Sequence, residues 1–305
     1  MTAERREQAV GWFWIVSMVF IWTGFHMSGR LSTQLTLTPF DLTTLRFLAA
    51  GLLFLPWLLK HGLGGISFWQ ALLLAMTAGP GFAAFAFGGY QFAPAAHGAA
   101  ILSGALPLFT APLAWWLAGE RLSTTRTLSV CMIFAGIMFL LVDATSGDRP
   151  NVWVGDLLFF VGAASWSLFA VLARKWQVSP IRSAAIVATF SLAIFTPIHL
   201  LFLPSTLHEA PWQELAAQWF FQGVIVFIGS TFGYPRAVAA LGATPTATAV
   251  AFVPAGVTLL SWAWLGEALS AIAIGGVALV VSGILIGAIK FRRHQRPVEE
   301  HTAEG

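Results

Sequence analysis

The chain has 305 residues, of which 57% are hydrophobic and 10% are charged, with a mean hydropathy of +0.78 and a net charge of +3. Soluble domains carry about 25% charged residues, so this composition excludes a protein whose whole surface faces water. The basic residues form no long run with interleaved aromatic residues, which argues against a nucleic-acid partner. The lipid bilayer is therefore the expected surroundings of the chain.

Ten apolar stretches are long enough to cross the hydrocarbon core as helices, which takes about 20 residues each. The first follows Arg5 and Arg6, is too long for the core of a cleavable signal, and is expected to remain as an anchor. Strands are disfavoured because no stretch alternates as a membrane barrel does. In chain order, the predicted helices span residues 10–29, 40–59, 68–91, 95–118, 122–142, 152–173, 181–203, 217–240, 244–265 and 269–290.

The connections between these predicted helices are mostly short. Residues 92–94, 119–121 and 266–268 leave room only for tight turns, so consecutive helices are expected to be antiparallel neighbours. The longest internal connection, at about 204–216, leaves room for a short helix at the membrane interface. Residues 1–9 and 291–305 are predicted to be cytosolic tails.

The distribution of Lys and Arg predicts the orientation in the membrane. With the N-terminus in the cytosol, thirteen basic residues fall on the cytosolic side and two on the opposite side, as the positive-inside rule requires. An even number of spans also keeps the basic C-terminal cluster in the cytosol. The sequence therefore predicts a multi-pass protein of the cell inner (plasma) membrane with both termini cytoplasmic.

A duplication divides the chain into two predicted five-helix units, residues 10–145 and 150–290. The matched pairs are Pro107 with Pro254, Trp115 with Trp262, Glu120 with Glu267, Gly136 with Gly283, Trp22 with Trp166 and Arg30 with Arg174. Because five is odd, the second unit must enter the membrane in the opposite orientation, an arrangement that secondary transporters use. A duplication that only enlarged the fold is the alternative.

The twin cassettes PLFTAPLAWWLAGERLS (Pro107–Ser123) and PAGVTLLSWAWLGEALS (Pro254–Ser270) resemble the EamA type of the drug/metabolite transporter superfamily. The resemblance extends from about residue 10 to 290 and is closest to the amino-acid and metabolite exporters, including the aromatic amino-acid exporter. It implies an all-α integral membrane protein with ten transmembrane helices, arranged as two five-helix inverted repeats around a central cavity.

Polar and aromatic residues at membrane depth are the predicted substrate-binding residues, because polar groups there are costly. The resemblance implies that spans 1, 3 and 4, and their counterparts 6, 8 and 9, line the cavity. Filling of gaps between helices is the alternative for each ring, and a satisfied packing position for each histidine. The predicted binding residues are Trp22, His26, Tyr90, Gln91, His97, Ser103, Trp166 and Tyr234.

Glycine and proline residues inside the spans are the predicted hinges, because proline removes a backbone donor and rocking needs points that absorb backbone change. Pro107 and Pro254 are expected to lie in the middle of their helices. Kinks that do not move are the alternative. The predicted hinge residues are Gly79, Pro80, Gly81, Pro107, Gly233, Pro235 and Pro254.

Three charged residues near the predicted spans have open roles. Glu120 and Glu267 each lie in a turn and are expected to cap the helix that follows. Arg46 is the deepest cation, about 9 Å along the second span, and is expected to extend to the interface, pair with Asp41, or attract an anionic group.

These patterns predict a secondary transporter that moves a small organic solute, amino acids or related metabolites in the export direction, by alternating access. No carboxylate is placed in the middle of a span, which favours uniport or exchange over ion coupling. No catalytic residue, metal site or cofactor is expected, and the partners are a small-molecule substrate and lipid, with the chain a monomer or weak homo-oligomer. A lipid-modifying membrane enzyme and a non-transporting receptor are the alternatives.

Overall fold

A computed structural model describes residues 3–118, 123–146 and 150–289. Over these ranges the chain is helical and has no strand, as expected where lipid offers no partners for backbone groups. The helices are α1 (Ala3–Gln34), α2 (Pro39–His61), α3 (Phe68–Ala78), α4 (Pro80–Phe92), α5 (Ala95–Ala118), α6 (Thr124–Ser146), α7 (Val152–Lys175), α8 (Pro180–Phe190), α9 (Thr196–Phe202), α10 (Trp212–Gln218), α11 (Gly229–Leu241), α12 (Ala243–Val250), α13 (Val253–Leu265) and α14 (Ala271–Ile289). Two π-helical segments join them, the first π segment (Ser191–Phe195) between α8 and α9 and the second π segment (Trp219–Ile228) between α10 and α11.

Nine helical stretches in the described part of the chain are long and apolar enough to cross a membrane. They agree with nine of the ten predicted spans, and the prediction of an all-helical membrane protein is confirmed. The remaining predicted span, 95–118, forms α5, whose shorter stretch Ala95–Phe109 is also apolar. The count of ten stays a prediction, and Glu120 and the tail 291–305 lie outside the described residues.

Local sequence signals explain where several helices begin. Thr38 caps α2 in a reciprocal arrangement with Asp41, and Ser67 caps α3 in the same way with Gln70. Each pair satisfies two backbone donors that a helix start leaves free. The predicted tail before residue 10 is helical from Ala3, so α1 is 32 residues long.

The predicted hinge at residues 79–81 coincides with a break between α3 and α4. Gly79 ends α3 with ψ near −114°, and Pro80 begins α4. A Cβ on Gly79 would collide with the Ser191 hydroxyl and the Ala75 carbonyl, so only glycine fits. The helix interruption is therefore built into the packing against the first π segment.

The proline residues are placed less uniformly than expected. Pro107 and Pro235 lie inside α5 and α11, and Gly233 is buried on α11 against Trp14. Pro254, however, is the second residue of α13, after a turn at 251–252. The prediction that Pro254 lies in mid-helix is wrong, because the helix restarts there, where a missing backbone donor costs nothing.

The expected separate interfacial helix is also absent from the described residues 203–211, and α10 instead forms the first turns of the next span.

α6 and α14 form a closely packed pair at a seam of small residues. A Cβ on Gly136 would lie 2.7 Å from the Gly276 carbonyl oxygen, and one on Gly283 would lie 3.0 Å from the Ser129 carbonyl oxygen. Small residues let helix backbones approach in this way in membranes. Ser129 comes before Gly136 on α6, whereas its partner Gly283 comes after Gly276 on α14, so the two helices run antiparallel.

The remaining helices pack in pairs across the two sequence halves. α1 packs against α11 and α13, while α7 packs against α4 and α5. α2 lies between α8 and the second π segment. We call the end of the bundle at which α1 begins, near Glu7, the N-side, and the end at which α1 finishes, near Arg30, the far side.

Candidate functional site

An aromatic pair joins the two halves in the middle of the bundle. The ring of Trp22 on α1 stacks on that of Tyr234 on α11, with centroids 5.6 Å apart, and the Trp22 indole N–H donates to the Ser230 hydroxyl at 2.8 Å. Both rings are half-buried. Trp22 and Tyr234, which were both predicted, are thus brought together. Ser230 was missed because nothing in its local sequence distinguishes it.

Trp166 on α7 contacts a second group of rings. Its centroid lies 4.9 Å from that of Phe82 on α4 and 5.3 Å from that of Phe169. Phe82 in turn stacks on Phe25 of α1 at 6.1 Å. The two matched tryptophans therefore each contact a ring of the opposite half. The rings supply apolar surface of the kind that binds amphipathic solutes.

His26 and Tyr90 form a buried hydrogen-bonded pair nearer the far side. The His26 Nδ1 and the Tyr90 hydroxyl are in contact, and the Tyr90 ring lies 4.8 Å from that of Phe159. Tyr90 is fully buried. Both residues were predicted to bind substrate, but in this structure each satisfies the other, so they do not face an open cavity.

An ion pair links the two halves at the far side. Arg30 Nε donates to the Glu267 carboxylate at 2.6 Å, and the Arg30 guanidinium also donates to the Tyr90 carbonyl. The other Glu267 oxygen accepts the backbone N–H of Ala95, the first residue of α5, at 2.9 Å. The expectation that Glu267 caps the following helix is wrong, because Ser270 caps α14 and Glu267 caps α5 instead.

A second buried cluster at the far side centres on His97. Its Nδ1 donates to Asp156 at 2.9 Å, and its Nε2 lies 3.5 Å from a carboxylate oxygen of Asp143. Asp143 also accepts the Ser270 hydroxyl. This cluster links α5, α6 and α7 to the start of α14. The predicted residue His97 is thus a buried link between helices in this state, and its aspartate partners were missed.

The other two predicted binding residues lie apart from these clusters. Gln91 is exposed near the end of α4, and Ser103 is half-buried on α5. The structure brings neither into contact with the aromatic pair. A groove of about 290 Å³ lies at the far side and is lined by none of the predicted binding residues, its walls being Thr258, Leu259, Trp262, Glu267, Ala268, Leu269 and Ile274.

Asp41 is the centre of a hydrogen-bonded polar cluster that the sequence analysis did not identify. Its carboxylate accepts hydrogen bonds from Thr38, from the Ser205 hydroxyl at 2.7 Å and from the Thr206 N–H at 3.1 Å, and it lies 3.2 Å from His199 Nε2. Asp41 and His199 are both fully buried. This polar cluster links α2 to α9 and to the loop that follows α9, at the far side.

The environment of Arg46 differs from two of the three expectations. Asp41 is already hydrogen-bonded within the polar cluster just described, and the Arg46 guanidinium does not reach the interface, since it lies between the rings of Phe25 and Phe227.

At the N-side, Arg236 forms a bidentate ion pair with Glu7 at 2.5 and 2.9 Å, and both side chains are exposed. The ion pair between Arg30 and Glu267 at the far side is therefore buried, whereas the Glu7–Arg236 pair at the N-side is exposed.

Comparison with known proteins agrees with this architecture. The model of the EamA-like transporter family matches residues 9–142 and 153–288. Over 235 residues, the chain is 24% identical to an uncharacterized transporter, YyaM, of Bacillus subtilis (strain 168), a match that covers 73% of this chain and 74% of the relative. A crystal structure described only as that of a protein has the same fold, with a TM-score of 0.60, 23% identity, and coverage of 96% of this chain and 99% of the other.

These matches point to a membrane transporter. The family match extends over residues 9–142 and 153–288, which contain the helical spans. The chain belongs to the EamA-like transporter family.

Proposed function

We propose that the protein is a secondary transporter that moves amino acids or related small metabolites out of the cell by alternating access. The observation that carries this proposal is the α6–α14 seam. Gly136 and Gly283 are 147 positions apart, and so are their contact partners Ser129 and Gly276. The two close approaches are therefore equivalent, because exchanging the two halves of the sequence converts one contact into the other.

The neighbouring side chains repeat the same exchange. A Cβ on Gly136 would lie 2.8 Å from Val280, and one on Gly283 would lie 2.7 Å from Ile133, again 147 positions apart. Equivalent contacts along antiparallel helices are what an axis in the membrane plane produces, as in inverted-repeat transporters. Two such halves can exchange conformations, which gives inward-open and outward-open states of similar free energy.

The solute would bind between the halves at the aromatic pair of Trp22 and Tyr234. Ring faces accept the apolar part of a solute, and the Ser230 hydroxyl offers a polar group beside them. The amino-acid class and the export direction rest on the resemblance of the two cassettes to amino-acid exporters. The cytoplasmic placement of both termini in the inner membrane rests on the count of Lys and Arg.

The test is a flux assay with purified protein in liposomes, using labelled amino acids, nucleosides and small amines. We expect saturable uptake and counterflow of at least one amino acid. If no solute of the panel moves faster in these liposomes than in empty ones, the result contradicts transport and favours a receptor. Labelling of single cysteines placed next to Glu7 and Glu267, in a variant that carries Cys131→Ser, tests the topology, which requires the two positions to be on opposite sides.

Within this assay, Trp22→Ala and Tyr234→Ala are each expected to lower flux by about tenfold, because a stacked ring pair contributes about 0.5–1.5 kcal/mol beyond its buried area. The matched control is Trp69→Ala, since Trp69 is 73% exposed and its ring contacts that of Phe68 instead. Both variants and the control should insert equally, as checked by size-exclusion chromatography. Equal flux in all three would remove the pair from the binding site.

A further inference from the structure

Arg46 is a cation buried in the membrane-spanning part of the bundle, with only neutral partners. It is 7% exposed and lies seven positions after the start of α2, about 10 Å along the helix. Its Nη1 donates to the backbone carbonyl of Gln222 at 3.3 Å and to the side-chain oxygen of Gln222 at 3.4 Å. Both distances are long for a charged donor, whose hydrogen bonds to carboxylates are about 2.7–2.9 Å.

Two aromatic rings flank the same guanidinium. Its central carbon lies 5.6 Å from the centroid of Phe25 and 5.3 Å from that of Phe227. Such contacts orient an arginine and stabilise it by about 0.5–2 kcal/mol. Removing a charge from water costs several kcal/mol, so rings and a distant amide offset only part of the cost.

No carboxylate compensates this charge. Among residues 3–118, 123–146 and 150–289, Arg46 forms no ion pair, and the nearest acidic residue in the sequence, Asp41, is held by Thr38, Ser205 and His199. An ionisable group placed in a membrane span without a fixed partner is by default a functional group. The described residues supply no countercharge, which leaves a bound anion as the partner of this arginine.

The position of Arg46 is suited to a transported anion. It lies on the first half, while Gln222 and Phe227 belong to the second π segment of the second half, and π-helical widening occurs frequently at functional sites. Gln222 is itself oriented by a hydrogen bond from its amide nitrogen to Ser28 at 2.7 Å. A relative movement of the halves would therefore open this contact and expose the guanidinium.

We propose that Arg46 binds the carboxylate of the transported solute, so that the substrate is a monocarboxylate with an apolar body, such as an amino acid or an aromatic organic acid. The planar guanidinium presents two parallel donors that match a carboxylate, and the flanking rings accept apolar groups next to it. A single cation balances a single negative charge, so a doubly charged phosphate would leave one charge unpaired in this apolar site. This inference rests on the proposed function and specifies its substrate.

The first test measures thermal stability without any flux. Arg46→Met keeps an unbranched apolar stem and removes the guanidinium and its charge, and we expect it to raise the unfolding temperature in the absence of ligand, since apolar replacement of a poorly compensated buried charge is often stabilising. Phenylpropionate should raise the unfolding temperature of the parent protein and leave that of Arg46→Met unchanged. A large fall in the unfolding temperature of Arg46→Met would show a purely structural role and overturn the proposal.

The second test compares flux of three probes that share a phenyl ring: phenylalanine, phenylpropionate and phenethylamine. Arg46→Gln is expected to lower the flux of the two carboxylates by about tenfold or more, the scale of hydrogen bonds to charged groups, and to lower that of the amine far less or to raise it. Arg46→Lys, which keeps the charge, should be intermediate and mainly raise KM. The matched control is Arg236→Gln, which removes an exposed arginine.

The outcomes separate this inference from the proposed function. If the parent protein moves phenethylamine but neither carboxylate, transport stands and the role of Arg46 falls. If Arg46→Gln moves the carboxylates as the parent does, the role of Arg46 also falls. If no probe or other solute moves, transport itself fails, and a stability shift caused by phenylpropionate in the parent alone still supports carboxylate binding at Arg46. A shift produced equally by chloride or inorganic phosphate contradicts a carboxylate site.

Discussion

Gly136→Ala is expected to destabilise the protein by about 2–3 kcal/mol, since an added methyl group at a closely packed contact forces a backbone shift. Its Cβ would lie 2.7 Å from the Gly276 carbonyl oxygen and 2.9 Å from the Val280 nitrogen, neither of which can rotate away. Gly283→Ala should cost a similar amount, because the two glycines occupy equivalent places in the seam. Reversible unfolding in detergent, followed by circular dichroism, measures both.

The matched control is Gly275→Ala on α14, the helix that carries Gly283. There the nearest atom to an added Cβ is a ring carbon of Phe139, at 3.8 Å. Alanine is also the better helix former, by up to about 1 kcal/mol, so this variant should be neutral or more stable. If Gly136→Ala and Gly275→Ala behaved alike, the close approach of α6 and α14 would not exist. If Gly136→Ala and Gly283→Ala differed widely, the equivalence of the halves would be in doubt.

Glu267→Gln is expected to destabilise the protein by about 3–5 kcal/mol, because it leaves a largely buried arginine without its countercharge. The side chains of Arg30 and Glu267 are 11% and 6% exposed. Arg30→Gln should have a similar cost, and the double variant should cost less than the sum of the two. The measurement is the free energy of unfolding of the two single variants and the double variant.

Glu7→Gln is the control for the far-side ion pair. The Glu7–Arg236 pair at the N-side is exposed, and exposed pairs contribute about 0–1 kcal/mol. A loss for Glu7→Gln as large as that for Glu267→Gln would show that burial does not set the difference. Additive effects of Arg30→Gln and Glu267→Gln would show that the two side chains do not interact.

Most of the helices could be predicted because each span is an unbroken apolar stretch bounded by polar turns. The bounds agree to within a few residues except at α1, which begins at Ala3, and at α10, which begins at Trp212. The exceptions share a cause. Hydropathy reports where lipid can surround a helix, whereas a helix continues into polar sequence whenever its backbone bonds remain satisfied. The two π segments were not predictable, because no composition rule identifies where a helix widens.

The candidate site was predictable only in part. Trp22 and Tyr234 were identified as rings inside the spans, but their contact depends on the packing of α1 against α11. The link from Arg30 to Glu267 joins residues 237 positions apart, and hydrogen-bond geometry of this kind cannot be obtained from spacing. Arg46 was recognised as a deep cation, and only the structure shows that its partners are rings and an amide.

The length of α1 has a consequence for the lipid. Its 32 residues extend about 48 Å, whereas the hydrocarbon core is about 30 Å thick. Its apolar stretch, residues 10–29, matches the core at about 30 Å, so a bilayer of a different thickness tilts α1 or is deformed around it. α1 carries the ring of Trp22 and, near its two ends, the ion-paired residues Glu7 and Arg30. The acyl chain length of the lipid is therefore expected to affect the rate of turnover. Turnover measured in a series of phosphatidylcholines from 14 to 22 carbons, roughly the range over which mismatch is felt, should pass through an optimum.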